Sequence, residues 1–494
     1  MILITKFVFI LILIAYVRSQ SHAYDYGYAT NIKQYTRRIQ LKQGTLQGVV
    51  VEPRVNRALP PVEQFLGIPY AAPPTRELRF MPPGSAPSWF GIKIADSFGP
   101  VCPQKFPEKN KMGPEREEHF EKLIKHLILN QSEDCLYLNI YAPVQDLNVP
   151  LPILPVMIYI HGESYEWNSG NPYDGSVLAA YGKVIVVTIN FRLGIFGFLK
   201  TGMEESASSN FGLVDQIAAL LWVQYNIGAF GGNPNLVTVF GHGTGAVCAN
   251  LLMLSPMVNG EGNKLLFKRA VLMGGTALAD WAFAGKPQQT TYQVAGSLNC
   301  PGTESELAAC LRTRSSNEII NATVITDAFV TKFGPVVDSR IIPSDPTDNL
   351  GKYSDLLKRF ELLYGVTEVE SAHLIGPVAL TYGILEKERD QDLKKYLQVR
   401  CKSKLELCFS RTIQEYIENA TEQTRNTFAQ SGIDRAKLAR DILLEMLSDA
   451  RSVAPFIQMG KLHSIANPQS YFYVFGHAPS SKEHLVIRIL VQLY

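Results

Sequence analysis

The residues that invite a chemical reading lie in Val237–Ala246, VTVFGHGTGA. A β-branched run enters Gly241-His242-Gly243-Thr244-Gly245, and an apolar helical stretch leaves it. A strand, a tight turn with glycines two residues either side of its apex, and a helix together form the arrangement that lifts a nucleophile onto a strained backbone. The outer glycines let strand and helix approach closely. Here the apex is Gly243. Glycine adopts the strained conformation without steric cost, but it carries no nucleophilic atom. His242 and Thr244 flank the apex and leave it in other directions, so neither is expected to replace a missing serine.

A turn of this kind needs a sheet behind it. Leu151–Ile160, Lys183–Asn190 and Leu236–Phe240 read as buried strands. The second, KVIVVTIN, lacks alternation, as a strand covered on both faces does. Residues 36–53 read as a hairpin, and Lys268–Met273 and Tyr471–Phe475 as further strands. Gly212–Ile227, Ala246–Leu254 and Arg435–Met446 read as helices. Strands alternating with helices predict an α/β fold with a mostly parallel sheet covered on both sides. Such a sheet needs crossovers, so the chain from about 36 to 477 counts as one unit, although 494 residues alone would suggest about three domains.

Residues 1–19 have the character of a signal peptide: Lys6 supplies the positive charge, Phe7–Ala15 the apolar run, and Val17 and Ser19 the small-residue cleavage pattern. Residues 20–35 then form an N-terminal extension, and 478–494 a divergent tail. The full chain carries 47 Lys and Arg against 45 Asp and Glu. Cleavage after Ser19 removes Lys6 and Arg18 and leaves the mature chain neutral, with no basic footprint for nucleic acid. The composition also excludes a disordered or disulfide-dense miniprotein class.

Secretion brings two further expectations. Asn130, Asn321 and Asn419 stand in Asn-x-Ser/Thr sequons and become glycosylation candidates. Seven cysteines leave one unpaired. Proximity in sequence suggests Cys102–Cys135 and Cys300–Cys310, and Cys248, in an apolar helix, reads as a buried free thiol. Cys401 and Cys408 would sit about 10 Å apart on one helix and can pair only where that segment is not helical. No Cys/His grouping has metal-ligand spacing.

Several motifs together resemble the cholinesterase-like carboxylesterases, which have the α/β-hydrolase fold. They include Phe65-Leu66-Gly67-Ile68-Pro69-Tyr70-Ala71, Ser132-Glu133-Asp134-Cys135-Leu136-Tyr137-Leu138-Asn139, Asn190-Phe191-Arg192-Leu193-Gly194 and Phe230-Gly231-Gly232-Asn233-Pro234. The resemblance implies the same two disulfides, Cys102–Cys135 and Cys300–Cys310. It also implies a catalytic apparatus that is degenerate here. The nucleophile position is Gly243. The family's His-Gly-Gly-Gly oxyanion loop is His161-Gly162-Glu163-Ser164, which brings a carboxylate where negative charge would develop. The acid position is Glu370, followed by Ser371 rather than glycine. The family histidine follows the strand Tyr471–Phe475 in a His-Gly context, and beyond His477 only His484 remains, without a glycine after it. His22, His119, His126, His373 and His463 read as isolated surface or packing residues.

Within that family the stretch His161–Gly175 and the Gly-His-Gly-Thr-Gly turn most resemble the neuroligins, the insect type in particular. This resemblance implies a non-catalytic adhesion protein that binds a presynaptic neurexin-like receptor and supports synapse organisation. The loop Glu368–His373, with Glu368, Glu370, Ala372 and His373, would contribute to that contact. No cofactor is expected, apart from Ca2+ at the partner interface. The alternatives are a non-catalytic relative with a different partner, or a carboxylesterase-type serine hydrolase. Localisation is expected in the secretory pathway and outside the cell, the full-length relative being a single-pass protein of the postsynaptic membrane. The resemblance further implies a homodimer built on a C-terminal helix, then a stalk and a membrane span. None follows Tyr494 in this sequence, so the fold is expected to be truncated at its C-terminal end.

Overall fold

The computed structural model describes residues 33–476, apart from 54–57, 129, 145–152, 202–208, 259–263, 302–303, 349 and 425–431. The expected signal peptide, the extension as far as residue 32 and the tail after Gly476 lie outside the described residues. From Thr36 onward the chain is one unit, as its crossovers require and against the prior set by length.

Among the described residues, eleven strands form one sheet: β1 (Tyr35–Gln40), β2 (Thr45–Val51), β3 (Val62–Pro69), β4 (Ile92–Ile94), β5 (Tyr137–Pro143), β6 (Leu154–Ile160), β7 (Ile185–Ile189), β8 (Gly232–His242), β9 (Arg269–Met273), β10 (Glu361–Thr367) and β11 (Ser470–Phe475). Their spatial order is β1-β2-β3-β5-β7-β6-β8-β9-β10-β11, with β4 against β2. Pairing is antiparallel from β2 through β3 and β5 to β7. It is parallel from β7 through β6, β8, β9 and β10 to β11. β7, the junction between the two regimes, is buried along its whole length. That burial accounts for its wholly β-branched sequence, in which polar and apolar residues do not alternate.

Seven helices matter for the site: α1 (Pro114–Ile124), α2 (Phe211–Asn226), α3 (Thr244–Met253), α4 (Glu386–Cys401), α5 (Leu405–Thr424), α6 (Gly432–Ser448) and α7 (Ala454–Ala466). α3 begins at Thr244, two residues earlier than its apolar run suggests, because the turn feeds the helix directly. α4 escapes a reading by periodicity: it is charged nearly all round, and its Leu393, Tyr396 and Leu397 are buried only by tertiary packing. With Leu443 and Leu447 of α6 they build a second apolar cluster beside the main core.

Three disulfides join the described cysteines. Cys102–Cys135 and Cys300–Cys310 form as expected, and Cys248 is a buried free thiol. The third, Cys401–Cys408, resolves the open alternative. α4 stops at Cys401, a 3-10 turn covers Lys402–Lys404, and α5 starts at Leu405. That break brings the two Cα atoms to 6.4 Å, within bridging range.

Candidate functional site

The turn after β8 is a nucleophile elbow in every respect but its side chain. Gly243 has φ 56° and ψ −122°, a conformation in which L side chains are strained. Its N–H donates to the Met273 carbonyl at 2.9 Å, and its own carbonyl accepts from Val247 N–H. The flanking glycines are dictated by contact: a Cβ on Gly241 would lie 2.4 Å from the Gly245 carbonyl carbon, and one on Gly245 would lie 2.1 Å from the Ile160 oxygen. A Cβ on Gly243 would meet nothing within 4 Å. Space for a nucleophile therefore exists, and the atom does not.

The loop after β6 faces this turn. Gly162 is required, since a Cβ there would lie 2.4 Å from the His242 carbonyl oxygen. The next three residues keep left-handed backbone without glycine: Glu163 at φ 81°, Ser164 at 59° and Tyr165 at 59°. Each such residue costs about 1 kcal/mol. Side-chain anchors oppose that cost. Arg116 of α1 grips the Glu163 carboxylate with both terminal nitrogens, Nη1 donating at 3.1 Å. Tyr165 donates its hydroxyl to the Ala282 carbonyl at 2.9 Å. His161, fully buried and stacked on Phe191 at 4.3 Å, is pushed by burial down to about 3 and stays neutral.

Glu370 lies just past β10, at the carboxyl end of the sheet, as the acid position requires. Its Oε1 accepts from Thr367 N–H at 2.5 Å and from the Thr367 hydroxyl at 3.0 Å. Its Oε2 rests against Gly274. The carboxylate is thus spent on its own loop and oriented toward the cavity. His373 Nδ1 lies 3.1 Å from the Glu370 carbonyl oxygen. Desolvation by the surrounding walls, then Arg116 and Arg451, lowers the pKa of His373, whose side chain still has an exposed face.

Gly243, Glu163, Ser164, Glu370, Ser371 and His373 meet around one cavity of about 260 Å³. Arg116, His242, Thr244, Trp281, Arg451 and Ser452 also line it. Two histidines that read as isolated are therefore corrected. His373 lines the cavity, and His119 of α1 approaches Glu163 at 3.9 Å, because α1 packs over the loop from elsewhere in the chain. His463 is a packing residue as expected, fully buried with Nε2 3.1 Å from the Phe360 carbonyl oxygen. Of the proposed partner loop, Glu368 and Val369 are exposed and Ala372 is half-buried. Asn130 and Asn321 have exposed side chains.

A sequence profile described as the Carboxylesterase family matches residues 35–489. The chain belongs to that family. Its sheet and elbow are accordingly those of an α/β-hydrolase. Among curated relatives, Neuroligin-2 of Mus musculus is 36% identical over 453 residues, covering 85% of this chain and 51% of the relative. Neuroligin-3 of Mus musculus is 35% identical over 464 residues, covering 88% and 53%. Neuroligin-1 of Caenorhabditis elegans is 34% identical over 476 residues, covering 91% and 58%. The chain thus spans about half the length of the curated relatives it matches.

Against the carboxylesterase pattern, reading the sequence missed Arg116, Trp281, Arg451 and Ser452. Arg116 sits in a run of mixed charge on α1 and reaches Glu163 across 47 residues. Nothing local marks it. Arg451 lies in a π-helical turn, Asp449–Val453, between α6 and α7. Such turns gather at functional sites, but no sequence signal announces this one.

Proposed function

We propose that this chain is the adhesion region of a neuroligin-like protein, without esterase activity, that binds a presynaptic neurexin-like receptor outside the cell. The observation that carries the reading is an elbow complete in backbone and empty at Gly243. Nucleophilic acyl transfer needs an oxygen or sulfur at that apex. The loop beside the apex carries the Glu163 side chain, tied to Arg116, where an oxyanion hole needs bare backbone N–H groups. The similarity to neuroligins supports adhesion as the role left to the scaffold. The partner surface includes the loop Glu368–His373, where exposed Glu368 favours a contact bridged by Ca2+. Among the described residues no helix is long and apolar enough to cross a membrane.

Two experiments test the two halves. The secreted chain should resist labelling by a fluorophosphonate probe, and Gly243→Ser alone should hydrolyse no ester above background. Covalent labelling of the parent chain would overturn the non-catalytic half. Immobilised neurexin ectodomain should capture the chain in calcium and release it in chelator. Equal retention in both buffers, or none in either, would remove this partner.

A further inference from the structure

The cavity beside Gly243 retains unused hydrogen-bonding capacity. Thr244, Ser371 and Ser452 all line it, and each is more than nine-tenths buried. None of their three hydroxyls hydrogen-bonds to any group among the described residues. They come from three separate elements: the first residue of α3, the loop after β10, and the π-helical turn before α7. The three hydroxyl oxygens stay accessible from the hollow, so a ligand seated there can reach all of them.

The charged groups around the cavity are engaged within the protein. Arg116 pairs with Glu163. Arg451 Nη1 lies 3.3 Å from Asp280, and its guanidinium stacks near Phe329 and Tyr396. The Glu370 Oε1 atom accepts from Thr367. An ionic ligand would have to compete with these internal contacts for its counter-charge. An apolar ligand would leave three hydroxyls without partners, at about 1–3 kcal/mol each. Trp281 adds an aromatic wall, fixed by donation of its indole N–H to the Arg451 carbonyl at 3.0 Å.

We propose that this cavity binds a small neutral polyhydroxylated molecule, a single sugar ring, without chemically altering it. The hydroxyls of Thr244, Ser371 and Ser452 would exchange hydrogen bonds with the ring hydroxyls, and Trp281 would cover its apolar face. The volume suits one ring and no more. The site shares Ser371 with the loop proposed to meet the partner, but sugar binding is measured with no partner present, so either reading can fail alone.

The test uses the full secreted chain and four probes: glucose, galactose, mannose and N-acetylglucosamine, with acetate and choline as charged controls. Saturation-transfer NMR and calorimetric titration should show saturable binding of at least one sugar and none of either control. Thr244→Val with Ser452→Ala should weaken that sugar by about tenfold or more, equivalent to about 1.4 kcal/mol. Ser371→Ala, a milder change in a separate element, should weaken it as well. Thermal unfolding of all variants shows whether they remain folded. Oligosaccharides ending in the bound sugar separate two sources: retained binding points to a glycan terminus, lost binding to a free monosaccharide. No saturable sugar signal, preference for acetate or choline, or unchanged affinity in both folded variants would overturn the proposal.

Discussion

At the scale of the residue, Glu163 carries two opposing effects. Its backbone sits at φ 81°, where glycine would be relaxed, while its carboxylate holds Arg116. Glu163→Ala and Glu163→Gly both lose the ion pair, but only glycine relieves the backbone. The glycine variant should therefore be more stable than the alanine variant by about 1 kcal/mol in urea unfolding. Equal stabilities would show that the left-handed backbone is unstrained. His161 makes a prediction about pH. Burial holds its folded pKa at about 3, against the ordinary 6.5. Its contribution to stability is complete above 6.5, where folded and unfolded forms are both neutral. Below that value the unfolded chain takes up a proton that the folded ring refuses. Stability should fall through the window from 6.5 to 3, by about 1.4 kcal/mol per pH unit for this group. His161→Gln should make the measured slope shallower by that amount. An unchanged slope would assign acid sensitivity to other groups, with His119, His373 and His463, all lowered first by burial, the next to examine.

At the scale of the element, the elbow clamps β8 and α3 against β6 through contacts closer than any side chain permits. Gly245→Ala would place a Cβ 2.1 Å from the Ile160 oxygen, which is backbone and cannot swing aside. We expect a loss of more than about 3 kcal/mol and little secreted protein, whereas normal yield and stability would mean that β6 and α3 can separate. The Cys401–Cys408 bridge ties α4 to α5 over a loop of sequence separation 7. Replacing both cysteines by serine should cost about 2 kcal/mol by loop-closure entropy, read as early unfolding of this helical cluster in hydrogen exchange. These two features also mark how far the sequence could be read. The elbow was legible because its signal is local: a β-branched run, glycines at fixed spacing, then an apolar helix. Cys401–Cys408 was legible only as a condition, since no proline, glycine or other local signal marks the helix break at Lys402–Lys404 that permits it. The link from Arg116 to Glu163 was not legible, because it joins two elements whose approach no periodicity encodes.

At the scale of the whole molecule, eleven strands and their helices hold a set of positions in register whether or not chemistry occurs there. The acid position, the former oxyanion loop and the elbow still converge on one hollow. The walls of that hollow include Glu370, Ser371 and His373, which also belong to the loop proposed to meet the partner. On the proposed function, a mutation that unfolds the chain would abolish capture by neurexin, whereas one confined to Gly243 should leave it unchanged. Loss of capture by a folded Gly243→Ser chain would place the apex within the partner contact. The elbow's uneven tolerance has an evolutionary corollary. A serine at its apex endures a backbone that glycine occupies freely, while its neighbours have no latitude at all. For any hydrolase of this architecture, exchanging the nucleophile for glycine is downhill in folding free energy. Abandoning catalysis is then the conformationally easy direction, and the scaffold that remains is, if anything, the sturdier for it.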